Sequence, residues 1–157
     1  METMEKLSVT HGTFVIERTY SVPPERVFGA FRDPAKKRRW MREGNEAMEF
    51  EIDFRVGGKE RSRFLLGENT PFPGTQMTND TVYMDIVPNR RIVIAYPMAM
   101  GERRFSSSQA TFELVPSEKG TDLIFTEQGA YFEGSDGAQM RQAGWTHLLE
   151  RLSKELS

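Results

Sequence analysis

The sequence has no cysteine. That excludes a disulfide framework, a thiolate nucleophile and a zinc–thiolate site. It suits a reducing compartment. Histidine is scarce: His11 and His147 stand far apart, and neither falls in a cluster with metal-ligand spacing. No metal and no cofactor are therefore expected. No apolar run approaches membrane-spanning length. Met1 to Lys6 is polar, and no apolar run of signal-peptide type follows it. A cytoplasmic location is the expectation. Net charge is also small, -2, with basic and acidic residues mixed. A basic field for nucleic acid is missing, so no nucleic-acid partner is expected. No repeat at solenoid periods is visible.

What is present is enough residues for one core. A chain of 157 residues buries a large share of its surface without staples. Residues 1–12 are polar and expected to fray. Residues 13–157 read as a single domain. Thr13 to Val22 is rich in β-branched and aromatic residues, the composition of a strand. Pro23-Pro24 ends it and opens a helix over Glu25 to Phe31, with Ser21 as a cap upstream. Asp33-Pro34 caps and starts a second helix, Ala35 to Met41.

Ala47 to Val56 alternates, with Met48, Phe50, Ile52 and Phe54 on one face. Gly57-Gly58 supplies a turn into a strand over Lys59 to Leu66. Residues 67–74 form a loop. Thr75 to Val87 and Arg91 to Met98 make a hairpin about Pro88-Asn89. Phe105 to Val115 and Thr121 to Tyr131 make another, turning at Ser117 to Gly120. From about Ser135 to Leu156 the pattern is helical. Trp145, Leu148, Leu149, Leu152 and Leu156 form its apolar stripe.

Consecutive strands with short turns favour an antiparallel meander. About six or seven strands must bury one face, and the last helix is the element large enough to cover it. Twist makes that face concave. A curved sheet and one helix leave space between them for a pocket near the short helices. The fold class is therefore α+β, a curved antiparallel sheet around a long C-terminal helix.

Five segments resemble one family in its own order. They are VPPERVFGAFRDPAKKRRWM, DFRVGGKERSRF, VYMDIVPNRRIVIAY, ATFELVPSEKGTDLIFTEQG and GWTHLLERLSKEL. Together they resemble the AHSA-type group, named for the activator of the heat-shock protein 90 ATPase, within the SRPBCC or START-like superfamily. The resemblance implies the helix-grip fold shared with birch-pollen allergens, and a hydrophobic cavity between sheet and helix. Function does not follow from such a fold, because one fold carries many activities. The chaperone activator itself has a further N-terminal domain, for which this length leaves no room. Relatives often carry paired tryptophans after the second helix; this chain has Trp40-Met41. They often close the strand after the proline turn with tryptophan; here it is Tyr96.

The candidate ligand-binding residues are Trp40, Arg63, Tyr83, Tyr96, Phe112, Phe125, Glu127, Trp145, Leu148 and Leu149. The aromatic members would line a cavity for a hydrophobic or amphipathic small molecule. They would equally serve core packing. Arg63, Asp85 and Glu127 are polar candidates for the concave side, with His147 near the helical stripe. A pocket carboxylate or tyrosine would support a cyclase- or hydrolase-like enzyme. Against that, Gly57-Gly58 lacks phosphate-loop spacing, and Ser106-Ser107-Ser108 has no nucleophile-elbow context. No known catalytic motif appears. Lys36, Lys37, Arg38, Arg39 and Arg42 form a basic run, read as a solvated helix face. The alternative is a docking surface for a stress or chaperone-accessory module. Exposed edge strands leave room for a homodimer.

Overall fold

The computed structural model describes residues 7–42, 48–68 and 72–157; of Arg42 it describes the backbone only. The elements follow the chain as β1 (Val9–Tyr20), α1 (Pro24–Arg32), α2 (Pro34–Arg42), β2 (Glu49–Ile52), β3 (Lys59–Leu65), β4 (Gln76–Val87), β5 (Arg91–Met100), β6 (Arg103–Ser117), β7 (Gly120–Phe132) and α3 (Gly137–Leu156). Among the described residues, seven strands form one antiparallel sheet in the order β1-β7-β6-β5-β4-β3-β2. The meander from β2 to β7 is the one expected. The first strand then pairs with the last, Phe14 opposite Glu127 and Tyr20 opposite Thr121. The helices α1 and α2 occupy the connection that makes this closure possible.

The sheet buries one face against the helices. Phe14, Ile16, Ile92, Ile94, Ala110, Phe112, Leu123 and Phe125 alternate into it from β1, β5, β6 and β7. From α3, Trp145, Leu149, Leu152 and Leu156 meet them. Helix α1 adds Val27, Phe28 and Phe31, and α2 adds Trp40. Phe31 links the layers, its ring 5.2 Å from Trp40 and 4.9 Å from Phe112. Such close-packed aromatic burial is the main term holding helices to sheet. No helix among the described residues is long and apolar enough to cross a membrane.

Several local expectations need correction. Strand β1 begins at Val9, and Val9 to Gly12 pair with Phe132 to Gly129. The segment expected to fray is thus held by a ladder from Val9 on; residues 1–6 lie outside the described set. Ser21 does not cap α1. Pro23 occupies that position without a side-chain hydrogen bond, and its carbonyl accepts from Arg26 at 2.9 Å. Asp33 does cap α2: its Oδ1 accepts from the Ala35 and Lys36 amides at 2.9 and 3.2 Å.

The strand expected over Ala47 to Val56 ends at Ile52, and Ala47 is outside the described residues. Its chain turns away at Asp53, where Arg55 and Gly58 amides bond back to Asp53 and Arg55 carbonyls at 3.0 and 2.8 Å. Gly58 is required there, since a Cβ would lie 2.1 Å from the Asp53 carbonyl oxygen. Part of the loop expected over 67–74 also lies outside the described set.

Candidate functional site

Helix α3 covers the concave face unevenly. Its C-terminal half is in full contact with the core, while its N-terminal half stands over β3, β4 and β5 with a cleft of about 300 Å³ beneath. Met41, Phe64, Met98, Met140, Trp145 and Leu148 give it apolar walls. Tyr96, Asn79, Asp136, Arg141 and Gly144 complete the lining. Three methionines make those walls adaptable. Other depressions are larger, at about 370, 430 and 470 Å³; the last, beside the β2–β3 hairpin, is lined by exposed Glu51, Asp53, Arg55, Lys59 and Arg61 with Ile52. It is rimmed by charge and open to solvent, where an apolar molecule would stay hydrated on one side.

Beneath the polar end of the cleft lies a buried network. Glu127 of β7 alternates in phase with Leu123 and Phe125, so it points into the core and is 0% exposed. Both of its oxygens are engaged. The Tyr96 hydroxyl donates to Oε1. The Trp145 indole N–H is shared between that oxygen at 3.1 Å and the Tyr96 hydroxyl at 3.0 Å. Tyr131 donates to Oε2 at 3.2 Å. Gly129 makes that last bond possible: a Cβ there would sit 2.7 Å from the Tyr131 hydroxyl, so the ring can lie back along β7 only over a glycine.

The counter-charge is Arg141, from the first half of α3. Its Nη1 lies 3.7 Å from Glu127 Oε2. Its Nε and Nη2 grip Asp136 at 2.8 and 2.9 Å. It also donates to Ser106, Ser108 and Tyr96 at 2.8, 3.4 and 3.3 Å. Ser106 and Ser108 reach it because they alternate inward on β6 while Ser107 faces out.

The electrostatics follow from burial. Loss of hydration pushes the Glu127 carboxyl above the usual carboxylate range, although hydrogen bonds from Tyr96, the Arg141 charge, and Tyr131 and Trp145 all pull it down. Burial, then the adjacent Glu127 charge, raise the Tyr96 hydroxyl, and push Tyr131 up to about 12. For Arg141, burial opposes the charge, but the Asp136 bond and the neighbouring acidic groups outweigh it and hold the guanidinium firmly protonated.

A second buried polar cluster sits under α2. Lys37 is 4% exposed and donates to Glu60 at 2.6 Å and to Tyr83 at 3.4 Å. Tyr83 donates to the same Glu60 oxygen. The Lys37 ammonium also lies 5.6 Å from the Phe31 ring and 5.7 Å from that of Tyr83. Burial, with the Glu60 charge second, raises the Tyr83 hydroxyl. This corrects the reading of residues 36–39 as one solvated face. Lys36 and Arg39 are exposed, but Lys37 turns inward. The side chain of Arg42 lies outside the described residues.

The expected site residues therefore separate. Tyr96, Trp145 and Leu148 line the cleft. Glu127 lies just behind Tyr96 and Trp145. Phe112 and Phe125 back Trp145, at ring distances of 5.7 and 4.6 Å. Leu149 is core, and Trp40 is core with its indole N–H donating to Ala30 at 3.0 Å. Tyr83 belongs to the Lys37 cluster. Arg63 falls out of phase with Ser62 and cleft-lining Phe64 and so lies on the other face of β3. Asp85 points outward to Arg91 at 2.7 Å, because a bulge between Tyr83 and Asp85 shifts the alternation of β4. His147 is on the exposed side of α3. Among the described residues, no group of three or more His, Asp or Glu could hold a metal ion.

Arg141, Asp136, Ser106, Ser108, Tyr131, Lys37 and Glu60 are the polar residues that sequence reasoning missed. One signal was there. The α3 stripe of Trp145, Leu149, Leu152 and Leu156 continues one turn back to position 141.

Comparison with known proteins places these features. The family model for "Activator of Hsp90 ATPase homolog 1-like protein" matches residues 21–157. The chain is 51% identical to the Mll3558 protein from Rhizobium loti, with a TM-score of 0.85 over 94% of this chain and 99% of that one. It is 36% identical to a putative uncharacterized protein from Rhizobium leguminosarum, with a TM-score of 0.89 over 97% and 98% of the two chains. For protein CV1439 from Chromobacterium violaceum, identity is 27% and the TM-score 0.70, over 90% and 95%. No protein of curated function matches the chain.

Proposed function

The chain belongs to the Activator of Hsp90 ATPase homolog 1-like family, and from that premise we propose that it binds a hydrophobic or amphipathic small molecule between sheet and α3. The observation that carries this reading is the apolar cleft of about 300 Å³ with a polar group, Tyr96, at its inner end. That volume is at the lower end of the range of about 300–1,000 Å³ for ligand pockets. A compact ligand is implied. The family's description suggests a chaperone, but the basic run that would carry such contact has Lys37 turned inward. An enzymatic use of Glu127 has less support, since the carboxylate is shut off from the cleft and partnered by Arg141. A cytoplasmic location and self-association through β1 or β2, the sheet edges, complete the proposal without bearing on the cleft.

Gly144 offers the test. It lines the cleft, it is helical, and a Cβ there meets nothing within 4 Å. Gly144→Phe should fold, with better helix propensity than glycine, and fill the space. A thermal-shift screen of compact apolar and amphipathic compounds is expected to give hits on the native chain that vanish in this variant. Linkage makes the size of a shift report affinity. No hits, or hits that survive the plug, would overturn the reading.

A further inference from the structure

Around Arg141 and Tyr96 the polar end of the cleft has a one-sided hydrogen-bonding capacity. An arginine carries five N–H donors. In Arg141 the Nε donor goes to Asp136 Oδ2, the Nη2 pair to Asp136 Oδ1 and Ser106, and the Nη1 pair to Tyr96 and Ser108. None is left for a ligand. The Trp145 N–H is engaged by Glu127 and Tyr96. The Tyr96 hydroxyl gives its proton to Glu127 and already accepts from Trp145 and Arg141. What remains open beside Arg141 is an acceptor, while the donors of the Asn79 amide stand on β4 in the same lining. Asp136 Oδ1 receives Ser135 and Arg141, but Oδ2 receives Arg141 alone. A carboxylate oxygen takes about two hydrogen bonds, so Oδ2 retains one site. The Asp136 side chain is 25% exposed and lines the cleft.

Charge points the same way. Asp136 and Arg141 are the charged side chains of the lining and cancel each other. Glu127 lies behind them, 3.7 Å from Arg141, so two carboxylates share one guanidinium. A ligand carboxylate there would find the donors of Arg141, Trp145 and Tyr96 already engaged, only the neutral Asn79 amide of the lining to turn to, and two carboxylates sharing one guanidinium; its desolvation would be poorly compensated.

Resting on the small-molecule reading above, we infer that the ligand is an apolar skeleton bearing a hydrogen-bond donor head, an ammonium in preference to a hydroxyl. Asp136 Oδ2 receives that head, and the carboxylate of the same skeleton is rejected. The specificity-determining residue is Asp136, acting both as acceptor and as the clamp that keeps Arg141 away from ligand anions.

The experiment is calorimetric titration of the full chain with octylamine, octanol and octanoate at neutral pH. Octylamine is expected to bind at least about tenfold more tightly than octanoate, the equivalent of about 1.4 kcal/mol, with octanol between. Asp136→Asn removes the charge and releases an Arg141 donor, so octylamine should weaken and octanoate strengthen. Glu127→Gln, a buried isostere, should narrow the ratio without reversing it, and covers the case that Asp136→Asn does not fold. Octanoate equal to or tighter than octylamine would overturn the inference and leave the cleft a ligand site. An amine-to-carboxylate ratio unmoved in the variants would overturn it equally. Binding of none of the three overturns the cleft reading, and the inference falls with it.

Discussion

Replacing Arg141 by methionine tests whether the network beneath the cleft is one electrostatic unit. Methionine keeps much of the apolar stem and removes all the donors. Glu127 would then be a wholly buried carboxylate without a counter-charge. Breaking a buried pair from one side costs about 3–5 kcal/mol. The low end applies here for two reasons. The pair is long, at 3.7 Å, and Tyr96, Tyr131 and Trp145 still donate to Glu127. Asp136, part exposed, can turn to water. A loss of about 3 kcal/mol at pH 8 corresponds to a midpoint about 6–12 °C lower for a chain of this size.

The pH dependence is the sharper readout. Burial already holds Glu127 above the ordinary carboxylate range, and losing Arg141 raises it further. A carboxyl whose pKa is raised in the fold binds more protons there than in the unfolded chain. Stability therefore falls as pH rises from the unfolded value through the folded one. Urea unfolding of Arg141→Met should show a smaller loss at pH 5 than at pH 8. Adding Glu127→Gln should recover about 1–3 kcal/mol of it, as coupled neighbours do. A loss at pH 8 under about 1 kcal/mol, or one as large at pH 5, would refute the reasoning.

Glu127→Gln alone removes the titrating group, so its stability relative to the native chain should rise with pH across that same window. A flat difference curve by chemical denaturation would contradict the placement of Glu127. Lys37→Met leaves Glu60 buried with Tyr83 as its partner, and a loss of about 3–5 kcal/mol is expected. Glu60→Gln in the same chain should recover most of it, and a single-variant loss below about 1 kcal/mol would count against a buried charge pair. Gly129→Ala forces the Tyr131 ring off the strand. A lowered urea midpoint equivalent to about 1–3 kcal/mol is expected, and an unchanged midpoint would sink the close-approach argument.

The fold was legible because alternation, turn residues and one helical stripe agree about it. Strand and helix types follow directly from these, and boundaries moved by a few residues at β1, β2 and α3. The site was legible where parity was simple. Glu127 shares its phase with Leu123 and Phe125, and Tyr96 shares its phase with Ile92 and Ile94. It was illegible where parity breaks. The bulge after Tyr83 sends Asp85 outward, and no residue in that stretch announces it. Lys37 was misread for a different reason. Four consecutive helical residues, roughly 100° apart, nearly encircle an axis, so a run from Lys36 to Arg39 cannot all face solvent. Arg141 was masked by type, since only its spacing from Trp145 marks it as inward.

The two buried clusters also explain how the sheet–helix interface keeps one geometry where the cleft leaves it unfilled. Apolar contacts between α3 and the sheet are non-directional and would tolerate sliding along the helix axis. Hydrogen bonds would not. Arg141 and Trp145, one turn apart, are pinned to Ser106, Ser108, Tyr96 and Glu127 on three adjacent strands. Arg39 and Arg151 tie the other half of α3 to α2, through Glu155 at 2.8 Å and the Trp40 carbonyl at 3.0 Å. Lys37, through Glu60, ties α2 to β3 in turn. The cleft is bounded by these elements, so directional bonds act together with packing to set its width. A charge pair that adds little net stability can still earn its place by holding open a space that hydrophobic collapse alone would close.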